Sequence, residues 1–356
     1  MLIPHKKKIL FLYFELAGYV VACMEKLAAK YDSEVHVVRY PVNAVAPFQF
    51  KFSERIHDYA REKYNNEQLI TLVNEINPDF VYVCGWADKG YLAVCKSINK
   101  RVPVVMTLDN PWLGTIKQRI ASFLGPFYLH QFFTHCWVPG APNAEYARRL
   151  GFKNDRLIQS GMYSADVDLF HQYYNETKEA KENKFPHRFI YVGRYTELKG
   201  IRELWQAFSS LSNDERKGWE LWCLGKGELH PEFPKNDSIK DFGFVQPDQL
   251  KKYLVDTGVF ILPTHYEHWG VVVHEYAASG FPMICSTTTS AATTFLKEGE
   301  NGFFCQPKSV ESVRESLLKI INSSDEKLIA MGKKSVELSK LITPDTWADT
   351  IMSLIK

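Results

Sequence analysis

The chain has 356 residues, 46% apolar and 24% charged, which is the composition of a soluble globular protein long enough for two domains that each bury a core. Its 43 basic and 41 acidic residues leave a formal charge of +2, so no global field points to nucleic acid as a partner. No apolar run of about 18 residues is present to span a bilayer, no secretory leader is read, and the seven cysteines stand singly, so a cytosolic protein with buried free thiols is expected.

Lys8 to Phe14 reads as a buried strand, Ala17-Gly18 as a loop, Tyr19 to Tyr31 as a helix and Glu34 to Arg39 as a second strand. This is a βαβ opening. Glu67 to Ile76 is helical in spacing, Pro78-Asp79 turns the chain, and Phe80 to Cys84 is another short apolar strand. Val102 to Leu108 follows as a strand and delivers Asp109, Asn110 and Trp112 to its C-terminal end, where open α/β sheets place their ligands. Asp109 is therefore either a site residue or a helix cap.

From Thr115 to Phe133, Lys117 and Arg119 mix with Phe123, Leu124, Phe127, Tyr128, Leu129, Phe132 and Phe133 in a helical stretch that Gly125-Pro126 should interrupt. Two readings stay open, a helix lying on a membrane surface and a helix packed between domains. Cys136 to Pro139 reads as a strand, Asn143 to Leu150 as a helix, and Gly161 to Phe170 as a closing turn. Asp166-Val167-Asp168 in that turn invites a metal-binding reading, but its place in the chain favours a plain turn. His171 to Pro186 is polar and charged, which is linker composition.

Arg188 to Val192 opens the second half as a strand and breaks into Gly193-Arg194-Tyr195-Thr196-Glu197-Leu198-Lys199-Gly200 before the helix Ile201 to Leu211. Two cations flank a glycine turn there, suited to converge on a diphosphate. Trp219 to Leu224 is a strand ending in Gly225-Lys226-Gly227, and Asp241 to Val245 follows. Leu254 to Leu262 leads into an apolar run of strand type that ends in Phe260, Ile261 and Leu262, and Pro263 stops it. After the polar, aromatic loop Thr264 to Trp269, Gly270 precedes a helix from Val271 to Ser279 that ends at Gly280. The amides near Gly270 and Val271 suit a phosphate or diphosphate. Glu267 and Glu275, with seven residues between them, either face hydroxyl donors such as those of a sugar and a ribose or are a capping carboxylate and part of a solvated helix face. Val310 to Asn322, Asp325 to Leu341 and Trp347 to Ile355 are helical, the last restarting at Thr343-Pro344.

Glu267, Gly270 and Glu275, with Pro263 upstream and Gly193-Arg194 to Lys199-Gly200 before them, resemble the motifs of family 4 of the glycosyltransferases, the glycosyl transferases group 1. The resemblance implies a GT-B fold of α/β class, two Rossmann-like domains facing a central cleft, with the last helix crossing back to the first domain. The domains expected are 1–170 with about 343–356, a linker at 171–186, and a nucleotide-sugar domain at 187–342. It also implies a metal-independent, retaining hexosyltransferase without a cofactor, taking a UDP- or GDP-linked sugar to a glycan or lipid-linked glycan acceptor in polysaccharide or glycoconjugate biosynthesis. Such an enzyme would work in the cytoplasm, with peripheral contact at the inner face of a membrane.

By the same resemblance, Gly18, Gly193, Gly225 and the Gly243, Phe244 and Val245 backbone would line the donor site with Gly270 and Val271. Arg194 and Lys199 would hold the diphosphate, Glu275 the ribose and Glu267 the transferred sugar, with Asp109 standing where the family commonly has His-Asp. Ala17-Gly18 replaces the family's Gly-Gly pair, and Ala291-Ala292 replaces a second one. The alternatives are a GT-B nucleotide-sugar epimerase and a non-catalytic nucleotide-binding subunit of a transferase.

Overall fold

The computed structural model describes residues 6–41, 50–246 and 249–355. They form two compact units, residues 1–165 with 342–356, and residues 166–341. Each unit is a parallel sheet with helices packed against it, the Rossmann-like arrangement.

In the first unit the strands are β1 (Lys8–Tyr13), β2 (Glu34–Arg39), β3 (Ile56–Ala60), β4 (Phe80–Cys84), β5 (Val104–Thr107), β6 (His135–Trp137) and β7 (Leu157–Ile158). They run in the order β3-β2-β1-β4-β5-β6-β7 with every pairing parallel. The central strands read as continuous apolar runs because each face of the sheet meets its own cluster, Leu10, Leu12, Val81 and Val83 on one side and Ile9, Phe11, Phe80 and Tyr82 on the other. The helices are α1 (Gly18–Tyr31), α2 (Asn66–Ile76), α3 (Lys89–Ile98), α4 (Ile116–Tyr128) and α5 (Ala141–Arg149).

Helix α4 runs through Gly125-Pro126 instead of breaking there. Gly125 is needed for packing, since a Cβ would sit 3.0 Å from a Leu150 methyl and 3.4 Å from the Leu150 backbone. Phe132 and Phe133, expected as part of one aromatic stripe, are buried in the core beyond the helix.

The second unit begins with α6 (Val167–Asn183) and carries α7 (Ile201–Ser209), α8 (Asn213–Arg216), α9 (Lys251–Asp256), α10 (Val271–Ala278), α11 (Ala292–Phe295), α12 (Val310–Ile321) and α13 (Asp325–Ser339). Its strands, β8 (Arg188–Val192), β9 (Glu220–Leu224), β10 (Ile239–Asp241), β11 (Val259–Leu262), β12 (Met283–Ser286) and β13 (Gly302–Cys305), run in the order β10-β9-β8-β11-β12-β13, again all parallel.

Helix α6 corrects the expected linker at 171–186. Asp166 caps its start by accepting from the Leu169 amide at 3.3 Å. Val167, Phe170, Tyr173, Thr177 and Lys181 then bury one helical stripe. Lys181 lies in that stripe by its methylene stem, with its ammonium 3.6 Å from the Phe281 ring centroid, and burial lowers its pKa to about 7.

The final helix, α14 (Pro344–Ser353), returns to the first unit. Thr343 and Thr346 exchange hydrogen bonds in a capping box and Pro344 occupies the first turn, which sets its start. Trp347 stacks on Phe11 and Trp137, each with centroids 5.8 Å apart, and its Nε1–H donates to Met162 O at 3.1 Å. Trp347→Ala removes a buried aromatic and should cost about 3–5 kcal/mol. In denaturant unfolding followed by hydrogen exchange, the loss should appear in residues 6–165 while protection of residues 166–341 holds.

Candidate functional site

The C-terminal ends of β8 and β11 bring together two of the loops singled out in the sequence. Gly200 has φ +65, in the left-handed region, and a Cβ there would lie 2.1 Å from the Pro263 carbonyl oxygen. Only glycine lets the 193–200 loop press onto Pro263. The Thr264 hydroxyl and the His265 amide then donate to Leu198 O at 2.7 and 2.8 Å, and His265 Nε2 meets Glu203 Oε1 at 2.8 Å.

This seam places the Lys199 ammonium in direct contact with the Glu267 carboxylate, with only 18% and 15% of the two side chains exposed. The loop after β12 holds Glu267 from its other side. Glu267 N donates to Thr288 O at 3.3 Å, Ser290 N to Glu267 O at 3.4 Å and Ala291 N to Trp269 O at 2.9 Å. Ala291 and Ala292 are fully buried there, so this wall is set by backbone pairing.

Gly270 follows with φ +92, and a Cβ would sit 2.9 Å from Glu267 Cγ. It is the N-cap of α10, and no side chain caps that helix start. An uncapped helix start beside an ammonium group is a favourable place for an anion. One turn inside, burial first and then the nearby Asp166 carboxylate push the Glu275 carboxyl up to about 7.

Three further expected residues lie on adjoining strand ends. Gly193 N donates to Leu224 O at 3.1 Å and Gly225 N to Gly243 O at 2.8 Å, while a Cβ at Gly225 would meet Gly193 O at 1.9 Å. Phe244 is exposed and Val245 half-buried beside them. Arg194 is exposed, and its carbonyl accepts from Tyr191 Oη at 2.9 Å.

Sequence reasoning passed over Asp241. Its carboxylate accepts from Tyr195 Oη at 2.9 Å and the Gly243 amide at 3.0 Å, and meets His230 Nε2 at 2.7 Å. Burial opposes its ionisation, but these donors hold the carboxyl below its ordinary range. The signal was an acid immediately before Phe242-Gly243, which is no motif by itself.

In the first unit, Asp109 stands just past β5, half-buried, and accepts from Tyr163 Oη at 3.2 Å, while Asn143 Nδ2 donates to its carbonyl. Burial above all, then Tyr19 and Asp109, raises the Tyr163 phenol well above its ordinary pKa, so it serves as a neutral donor. Tyr163 also meets the Tyr19 ring edge-on at 5.7 Å, next to exposed Gly18 at the start of α1. Gly18 and Asp109 are thus linked through Tyr19 and Tyr163, which no sequence motif marks. Asp166 is used as a helix cap, and the groups of three metal-capable side chains among the described residues include neither Asp166 nor Asp168.

Residues 174–337 match the model of the glycosyl transferases group 1. Over 200 residues the chain is 30% identical to the capsular polysaccharide biosynthesis glycosyltransferase CapM of Staphylococcus aureus, covering 53% of this chain and 50% of that one. It is 25% identical to the O-antigen chain mannosyltransferase B of Escherichia coli, covering 40% and 39%. The chain thus spans half or less of the length of these curated relatives. Among solved structures, HepE of Anabaena in complex with UDP and glucose superposes with a TM-score of 0.70 at 14% identity, covering 98% of both chains. WaaG, a glycosyltransferase involved in lipopolysaccharide biosynthesis, superposes with a TM-score of 0.67 at 13% identity, covering 97% and 99%. The fold is GT-B, and residues 174–337 of this chain are similar to the glycosyl transferases group 1.

Proposed function

We propose that the chain is a retaining glycosyltransferase moving a hexosyl group from a UDP- or GDP-linked sugar to a glycan acceptor, lipid-linked, in polysaccharide biosynthesis. The observation that carries this reading is the Lys199–Glu267 contact, packed against Gly270 at an uncapped helix start. A cation and free amides suit a diphosphate, and a neighbouring carboxylate suits sugar hydroxyls. Relatives named for capsular and O-antigen synthesis, and a structural neighbour described with UDP and glucose, agree with that substrate class.

The charge that develops on the leaving diphosphate is met on this reading by Lys199, Arg194 and the Gly270 and Val271 amides, without a metal. Lys199 and Glu267 serve each other while the site is free. When diphosphate takes the ammonium, Glu267 is released to accept from the transferred sugar. Glu275 accepts from the ribose, the Gly243, Phe244 and Val245 backbone meets the base, and Gly193 and Gly225 leave room for the donor. Release of nucleoside diphosphate that requires an acceptor separates this reading from an epimerase and from a non-catalytic subunit.

The acceptor side has its own observation. Leu113, Ile116, Ile120, Phe123, Leu124 and Phe127 fall at helical spacing on and before α4, and all are more than half exposed, Phe127 at 81%. No acidic residue occurs between Asp109 and Glu145, whereas Lys117 and Arg119 are exposed on the same helix. An apolar stripe whose own helix carries cations and no acid fits an anionic lipid surface, with reversible attachment. No helix among the described residues is long and apolar enough to cross a membrane.

Arg194→Ala and Lys199→Ala should each weaken nucleoside diphosphate binding by roughly 10–100-fold, the worth of a charge-assisted bond, and leave binding of the bare nucleoside nearly unchanged. Calorimetry showing equal losses for both ligands would contradict the diphosphate assignment.

Glu275 supplies a pH test. As an acceptor it works ionised, so nucleotide affinity should rise with pH up to about 7 and level off above, and Glu275→Gln should flatten the curve. The free protein shows the opposite sign. Because the folded carboxyl titrates above the ordinary 4.5, stability is lost as pH rises from 4.5 to about 7. Glu275→Gln should therefore raise the melting temperature more at pH 8 than at pH 5.

Phe123→Ser with Phe127→Ser should abolish sedimentation with anionic liposomes at low salt, and Lys117→Glu with Arg119→Glu should lower it. Nucleotide binding should be unchanged in both. A wild-type protein that does not sediment would place the acceptor in solution.

A further inference from the structure

Strands β2 and β3 carry a group of side chains that the transferase reading does not use. Glu34 and His36 are two residues apart on β2 and so share a face, and His57 is the register partner of His36 on β3. The two imidazoles stack with centroids 4.7 Å apart, and His36 Nε2 lies 3.9 Å from Glu34 Oε2. One ligand atom from each of the three lies within 4.8 Å of the others.

His36 is the informative member. It is 6% exposed, its Nδ1 meets Tyr59 Oη at 3.2 Å, and its Nε2 is buried without a hydrogen-bond partner. A buried ring nitrogen normally finds a partner, so an unpartnered one 3.9 Å from a carboxylate oxygen, on a ring that neighbours a second imidazole, calls for an explanation. With Nδ1–H donating to Tyr59 Oη, the unpartnered Nε2 keeps its lone pair available beside Glu34. That is the arrangement of a metal-bound histidine, whose other nitrogen is oriented by an outer partner.

We propose that Glu34, His36 and His57 bind a divalent transition-metal ion of the zinc type, with Tyr59 as the positioning residue for His36. Two imidazoles and a carboxylate suit such an ion and make a poor site for Mg²⁺ or Ca²⁺, which take oxygen ligands. Three protein ligands leave a position for water. Ligand atoms in a tetrahedral site stand closer than 4.8 Å, and Glu34 and His57, the more exposed members, are free to move inward around His36. Lys8, the β1 register partner of Glu34, is the opposing neighbour, and its charge is offset by the Glu34 carboxylate.

The ion would tie the edge strand β3 to β2. It would take no part in transfer, which on the proposed reading uses other residues. The second group of this kind, Glu197, Glu203 and His265, carries no such inference, because His265 already meets Glu203 at 2.8 Å and Glu197 pairs with Arg202.

The test is Co²⁺ titration of the untagged, chelator-treated full chain, followed by visible absorption and competed with Zn²⁺. The site should take up one Co²⁺ with d–d bands, Zn²⁺ should displace it and Mg²⁺ should not. His57→Gln, at an exposed position that spares the fold, and Glu34→Gln should each weaken binding at least 10-fold. Tyr59→Phe should weaken it roughly 10–100-fold, while His265→Gln should leave it unchanged. Zinc should also raise the melting temperature of the wild type and not of His57→Gln. No uptake, or uptake indifferent to His57→Gln, overturns the proposal. Transfer rate in EDTA is measured separately: a fall in melting temperature with turnover intact fits both the site and a metal-free reaction, and loss of turnover with His57→Gln still active would count against the metal-free reaction alone.

Discussion

The second unit depends on the close approach of Gly200 to Pro263. A Cβ at position 200 has no room against the Pro263 carbonyl, so the chain must be bare there for the loop after β8 to lie on the loop after β11. The polar contacts between those two loops follow from that approach. It sets the Leu198 carbonyl under Thr264 and His265, and it puts Lys199 against Glu267. Two charges less than one-fifth exposed would be costly if left alone, and in the free protein each is the other's partner. On the proposed reading the same pair is the switch between empty and loaded states, because a diphosphate competes for the ammonium.

Around this pair the protein uses backbone where a ligand needs space and side chains where the backbone needs support. Gly193, Gly225 and Gly243 bring adjacent strand ends together with no side chain between them, and Asp241 collects Tyr195, His230 and the Gly243 amide to fix the last of these turns. The loop 286–292 braces Glu267 and Trp269 through carbonyls and amides, so Ala291 and Ala292 can be buried alanines. In the first unit the same division holds, with Asp109 fixed by Tyr163 and Asn143.

Much of this was legible in the sequence because parallel strands buried on both faces are plain apolar runs, and because glycine-cation and glycine-glutamate loops follow them directly. Lys8 to Phe14, Arg188 to Val192 and Val259 to Leu262 could not easily be read otherwise. The chain hid its structure where side chains have mixed character. Helix α6 looked like a linker because Thr177 and Lys181 count as polar, although their stems fill the buried stripe begun by Val167 and Phe170. Pro126 looked like a helix break, yet it lies in the last turn of α4, beside Gly125 packed onto Leu150. Strand β3 reads IHDYA, without apolar alternation, because it lies at the sheet edge. Tyr163, Asp241 and the Gly200–Pro263 approach depend on partners far away in sequence, which no local pattern reports.

The most direct test of this account is a crystal structure of the protein with a nucleoside diphosphate. The account predicts diphosphate oxygens within hydrogen-bond distance of Lys199 Nζ and the Val271 amide, ribose hydroxyls on Glu275, and a Lys199–Glu267 contact that has opened. A diphosphate bound elsewhere, with Lys199 still on Glu267 and the start of α10 untouched, would contradict it.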